Sequence, residues 1–350
     1  MAYARKPKEP DQGFQQLKND LAAGTIGQVY LFYGEESYLR EHYLSELRKK
    51  LVPAGMEEFN YHRLNGNKLS MQELCDAVEA MPMMAERTYV VVTDCDLFKL
   101  PAEARRALIA LLSDFPEYCC LVFVYDLISY QPDRSVKDLY PVLMKIARPV
   151  KFEAQEKDAL ARWIRSHFRA AGHDIDKATA EHLIFTCGSL MTGLLPEIEK
   201  ISAYARQVSI TVEDINAVAD PILDALVFNM TNAVTAGDID RAAEVLGTLL
   251  KKQEKPYMIL AALDKELRKL YTARLAIEYG KDTLWLMDLW QMKGDYQARR
   301  LIDSARRTTR AWCRDALTLC QKLDRRMKSE KGLDDEGELK LLLMRLARGQ

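Results

Sequence analysis

Five short apolar runs constrain the first 150 residues: Val29–Tyr33, Phe59–Leu64, Thr88–Thr93, Cys119–Tyr125 and Pro149–Phe152. They are rich in Val, Tyr, Phe and Leu and mostly apolar rather than alternating, as expected of strands buried on both faces of a parallel sheet. Helical patterns lie between them. Leu39, Tyr43, Leu44, Leu47 and Leu51 form one stripe. Leu74, Cys75, Val78 and Met81 form another, opened by Ser70 with Glu73 three residues later, the spacing of a capping box. Pro101 stands where a third helix would begin, ahead of Leu108, Leu111 and Leu112. Strands alternating with helices predict a doubly wound α/β domain over residues 1–152.

After "RPVKFEAQEKD" the strand signal stops. Leu160, Trp163, Ile164 and Phe168 fall on one helical face, "AGHDID" interrupts the pattern, and Thr211 with Asp214 opens another helix. A small helical domain is expected over 153–220, with Pro221 at its boundary. Residues 221–350 read as helices throughout, with a stripe through Ile259, Leu263, Leu267 and Leu270. "TAGDID" and "LDDEGE" read as turns, and Gly332 closes one long helical pattern that runs from Tyr296. The fold class is therefore α/β plus all-α, in three units.

Composition excludes several classes. With 48% apolar and 29% charged residues the chain is globular, and a net charge of -1 argues against nucleic-acid binding through overall charge. Runs such as "LIALL" and "CCLVFVY" fall far short of the roughly 18 apolar residues that a membrane span needs. The opening "MAYARKPKEPDQ" has no signal-peptide pattern, so a soluble cytoplasmic protein is expected. Seven scattered cysteines without a CxxC pair, and five histidines without close pairing, give no metal site. No cofactor is expected.

The stretch "VYLFYGEESYLREHYLSEL" has the strand–glycine–helix order of a phosphate cradle without its chemistry. A P-loop needs a second glycine, a lysine and a hydroxyl at fixed distances from the first glycine. Counted from Gly34, those positions hold Leu39, Arg40 and Glu41. Glu35 and Glu36 also sit where the helix N-terminus, with about half a unit of positive charge, would attract an anion. The strand "TYVVVTDCD" ends like a Walker B segment, so Asp94 and Asp96 are either magnesium ligands or caps for the next turn.

"VYLFYGEESYLREHYL", "AVEAMPMMAERTYVVVTD" and "LLPEIEKISAYA" followed by "SITVEDI" resemble, in order and spacing, the delta subunit of the bacterial DNA polymerase III clamp loader. The resemblance covers essentially the whole chain. It implies a degenerate AAA+ (P-loop-NTPase-like) sheet domain, a helical lid and a C-terminal collar, with no ATP bound or hydrolysed. The implied partners are the sliding clamp (beta), one of whose interfaces the subunit opens, the ATPase (gamma/tau) and delta-prime subunits, and primed DNA within the complex. The ATPase and delta-prime relatives carry a zinc-binding cysteine cluster and a Ser-Arg-Cys arginine finger. Both are missing here.

By the same resemblance the clamp is gripped at Met83 and Met84, flanked by Met81 and Pro82, where the family often has Leu and Phe. Read without the resemblance, these residues are core packing between a helix and a strand. A second candidate surface is "QARRLIDSARRTTRAWCR", whose Arg299, Arg300, Arg306, Arg307, Arg310 and Arg314 would stripe one helix. They could face DNA, with Tyr296 and Trp312 stacking on bases, or be a solvated face or inter-subunit contacts. Two other functions stay open: an active AAA+ ATPase, and a helical DNA-binding protein built on those arginines.

Overall fold

The computed structural model describes residues 12–292 and 295–348. They form two compact units. One comprises the described residues up to Ala154 together with Leu190–Thr192, and the other Gln155–Ser189 with Gly193 onward. Most of the stretch expected as lid thus falls with the collar stretch in the second unit, while 153–154 and 190–192 fall in the first.

The first unit is built on five parallel strands: β1 (Val29–Tyr33), β2 (Tyr61–Asn65), β3 (Thr88–Thr93), β4 (Cys119–Val124) and β5 (Ala147–Lys151). Their order across the sheet is β2-β3-β4-β1-β5. Alternate residues of each central strand serve opposite cores. Val29, Leu31, Val90, Val92, Cys119, Leu121 and Phe123 share one apolar cluster, and Tyr30, Phe32, Tyr89, Val91, Cys120, Val122 and Val124 share the other. Helices α1 (Gln12–Ala23) and α2 (Ser37–Leu51) cover the second face through Leu17, Leu44, Leu47 and Leu51. A one-turn helix, α3 (Glu57–Asn60), precedes β2. Helices α4 (Met71–Glu79), α5 (Ala102–Ser113) and α6 (Tyr140–Ile146) cover the first face through Leu74, Val78, Leu108, Leu111, Leu112 and Leu143. The α/β class is as expected, and the three central strands β1, β3 and β4 are buried on both faces, which is why they read as unbroken apolar runs.

Two strand starts differ. Phe59 and Asn60, expected in a strand, close α3 instead, where the amides of both bond the Met56 carbonyl. The fifth strand starts two residues earlier than expected, because Ala147 and Arg148 pair with Val29 and Tyr30. Of the caps, Ser70 accepts the Glu73 N–H at 3.1 Å, while Thr211 and Asp214 close a reciprocal capping box.

The second unit is helical: α7 (Lys157–Ala170), α8 (Lys177–Cys187), α9 (Met191–Tyr204, its first residues lying with the first unit), α10 (Val212–Val218), α11 (Leu223–Thr235) and α12 (Ile239–Lys251). The long α13 (Pro256–Glu278), α14 (Thr283–Leu289), α15 (Asp295–Ala305), α16 (Arg310–Ser329) and α17 (Asp335–Arg348) follow. One apolar cluster runs from α11 to α17 and includes the expected stripe Ile259, Leu263, Leu267 and Leu270. "LDDEGE" lies outside a helix only at Leu333 and Asp334; Asp334 accepts the Gly337 N–H at 3.0 Å and α17 begins. Among the described residues, no helix is long and apolar enough to cross a membrane.

Candidate functional site

The turn after β1 is where a parallel sheet of this kind would receive a phosphate. Gly34 has φ +121°, and a Cβ on it would lie 2.2 Å from the Phe152 carbonyl oxygen. The turn is sealed against the end of β5: Phe152 N–H donates to Tyr33 O at 2.7 Å, and Glu36 N–H donates to Phe152 O at 3.1 Å. Arg40, in the P-loop lysine position, is buried and bends back into the turn. Its Nη1 donates to Gly34 O at 3.0 Å and its Nη2 pairs with the Asp126 carboxylate.

Asp126 is itself held by the Walker B-like residue. Asp94 is buried with φ +59°, and its Oδ1 accepts the N–H groups of Asp126, Leu127 and Ile128 at 2.8, 2.9 and 3.3 Å. Of the two readings of Asp94, the cap is the one in place, although it caps the loop after β4 rather than the turn following its own strand. Asp96 forms an ion pair with Lys99 at 2.9 Å. The two positions that would hold a nucleotide and its magnesium are therefore wired to each other through the 126–128 loop.

Glu36 completes the filling. Its side chain is fully buried, and its Oε2 accepts the Met191 N–H at 3.0 Å. Burial pushes its carboxyl pKa up, and backbone N–H bonds from Met191, Tyr38 and Thr192 offset that in part. Glu35, exposed, accepts a long bond of 3.4 Å from Ala154 N–H. A phosphate here would meet carboxylates and would have to displace Arg40 from an acceptor and a counter-ion.

At the opposite, N-terminal edge of the same sheet, the chain leaving α4 makes an exposed turn before β3. Met81, Met83 and Met84 are 76%, 49% and 78% exposed, so the core-packing reading does not describe them. Pro82 is half-buried between them. Met84 has φ +53°, a left-handed conformation that non-glycine residues seldom adopt. Two side chains that sequence reasoning missed hold this turn. Asn60, fully buried, accepts the Met83 N–H at 2.8 Å and donates to the Met83 carbonyl at 2.8 Å. Arg87, where the turn meets β3, donates to Ile26 O, Gly27 O and Cys119 O at 2.7, 3.3 and 2.9 Å. The sequence does not mark Asn60 out, because His62 and Arg63 in the same run are also polar.

The arginine stripe needs correction. Arg299 and Arg300 lie on α15, Arg310 and Arg314 on α16, and Arg306 and Arg307 in the turn that separates them, so one helix does not carry all six. The physical cause is Thr308–Thr309. The Thr309 hydroxyl caps α16 by accepting the Trp312 N–H, and the Thr308 hydroxyl donates to Ala305 O. Arg300 packs over Phe228 and Tyr296 and donates to the Tyr296 hydroxyl at 3.0 Å. Arg306 pairs with Asp303. Trp312 is a core residue whose indole N–H donates to Leu346 O, and the Tyr296 hydroxyl is also bonded to His182, so neither ring stands free for base stacking. Arg299, Arg306, Arg307, Arg310 and Arg314 are exposed.

The family model described as DNA polymerase III, delta subunit, matches residues 30–141. That of the DNA polymerase III delta subunit, C-terminal domain, matches residues 224–346, and together they span more than half of the chain. The chain is similar to DNA polymerase III subunit delta of Bacillus subtilis, 23% identical over 268 residues that cover 74% of this chain and 76% of that one. It is also similar to the probable DNA polymerase III subunit delta of Aquifex aeolicus, 23% identical over 296 residues, 81% of each chain. Among solved structures it is similar to the Bacillus subtilis DNA clamp loader delta protein, with 20% identity and a TM-score of 0.49, covering 96% of this chain and 99% of that one.

Two outcomes are expected at the cradle. Gly34→Ala forces a Cβ into the Phe152 backbone in a strained conformation and should destabilise the chain by at least about 2 kcal/mol in urea unfolding. For Glu36, a raised native pKa means that the folded state holds the proton more tightly than the unfolded chain. That stabilisation is present below the ordinary glutamate pKa and is lost as pH rises through the raised value. Glu36→Gln keeps an acceptor for Met191 N–H without titrating, so its Tm should gain on wild type as pH rises from about 4 to 7.

Proposed function

The chain belongs to the delta-subunit family of DNA polymerase III, and on that premise we propose that it binds the sliding clamp through Met81–Met84 and opens one clamp interface. It is a clamp-loader component and a subunit of a polymerase holoenzyme. The single observation that carries the finer reading is the exposed, left-handed methionine turn held by Asn60 and Arg87. Unbranched, polarizable Met side chains enter an apolar pocket with modest shape demands, and a turn already fixed loses little entropy on docking.

Clamp opening then follows from differential affinity. A ligand that binds the open interface better than the closed one shifts the equilibrium by the difference, with no nucleotide in this chain. The filled cradle supports that assignment and disfavours the active-ATPase alternative, since Arg40 is already committed to Gly34 O and Asp126. Residues 1–152 would contact the clamp and 153–220 would serve as lid. Residues 221–350 would join the collar with the ATPase (gamma/tau) and delta-prime subunits. The exposed arginines from Arg299 to Arg314 are the part of this reading nearest to DNA: five of the six named reach solvent, and in the complex they would face primed DNA or a neighbouring subunit.

The test is clamp binding by the purified chain without ATP. Met83→Ala with Met84→Ala should cost about 2 kcal/mol or more per side chain while circular dichroism stays unchanged, because both residues lie outside the core. Excess wild-type chain should also speed release of clamps from nicked circular DNA without nucleotide, and the double variant should not. A wild-type chain that fails to bind contradicts the proposal, and equal binding by both proteins moves the anchor elsewhere.

A further inference from the structure

The geometry points to Asn60 as a positioning residue for the clamp-binding turn, an inference that rests on the reading of Met83 and Met84 as the anchor. Asn60 is the last residue of the one-turn helix α3 and is fully buried, a place where an amide is costly unless its hydrogen bonds are met. Two of its three are made with the turn. Its Oδ1 accepts the Met83 N–H at 2.8 Å, and its Nδ2 donates to Met83 O at 2.8 Å and to Met56 O at 3.2 Å. The side-chain amide thus engages both backbone groups of Met83 as a neighbouring strand would.

This grip fixes the peptide planes on both sides of Met83. The second plane carries the amide of Met84, whose φ of +53° is unfavourable for a residue with a side chain. Neither methionine side chain has core packing to hold it: they are 49% and 78% exposed. Arg87 pins the far end of the segment but touches carbonyls of Ile26, Gly27 and Cys119, not those of the turn. The conformation of the two methionines therefore depends on Asn60. Without it the turn must be ordered at the moment of docking, at a cost to affinity.

The experiment compares Asn60→Ala with wild type in two readouts, using the full chain and purified sliding clamp. Clamp affinity should fall by about tenfold or more, the expected cost of ordering one or two backbone residues on binding. In the free chain, the Met83 amide should lose its protection from hydrogen exchange while the β3 amides Val90–Val92 keep theirs, which a general loss of stability would not produce. In a Met83→Ala background the Asn60→Ala loss should shrink, because the group being positioned is gone. Asn60→Asp keeps the acceptor but sets a carboxylate against two carbonyls, and should bind no better than Asn60→Ala. Full affinity in Asn60→Ala, an additive loss in the Met83→Ala background, or equal exchange at Met83 and β3 would overturn the assignment of Asn60 while leaving the anchor intact. A wild-type chain that does not bind the clamp overturns both.

Discussion

The guanidinium of Arg40 closes the C-terminal edge of the sheet. Four loops converge there, after β1, β3, β4 and β5, and in a nucleotide-binding sheet a ligand would tie them together. Here Arg40 bonds the first at Gly34 O and pairs with Asp126 in the third, Asp94 carries that third loop on its carboxylate, and the end of β5 seals Gly34. The buried Arg40 and Asp94 side chains thus take their partners from the chain itself, as burial away from water requires.

That constraint separates structure from function within one sheet. The edge that would do phosphate chemistry is consumed by internal bonds, and the surface left available is at the other edge, where α3 and the turn after α4 precede β2 and β3. Strand polarity enforces the separation: in a parallel sheet every loop after a strand lies at one end and every approach to a strand at the other. The methionine turn inherits rigidity from the sheet through Arg87 and Asn60 while exposing apolar side chains to solvent.

Much of this was legible in the residues. Unbroken apolar runs separated by helical stripes gave the parallel sheet, because burial on both faces removes the alternation that one wet face would impose. The failure of the P-loop could be read from Leu39, Arg40 and Glu41 alone. What replaced it could not, since Arg40 finds Asp126 across 86 positions and Glu36 finds Met191 across 155. Asn60 was hidden for a related reason. Among the polar residues of its run it looks like a strand residue until the Met83 backbone, 23 positions on, shows what its amide is for. The arginines misled in the opposite way: a sevenfold spacing suggested one helix, but the hydroxyls of Thr308 and Thr309 compete locally for backbone groups and break it.

The most direct measurement is a structure of this chain bound to the sliding clamp without nucleotide. The account predicts Met83 and Met84 inserted in an apolar clamp pocket, Asn60 still paired to Met83, and Arg40 still pairing with Asp126. A clamp seated on another surface with the methionine turn free in solvent would contradict it, as would a nucleotide-dependent complex in which Arg40 has left Gly34 to meet a phosphate.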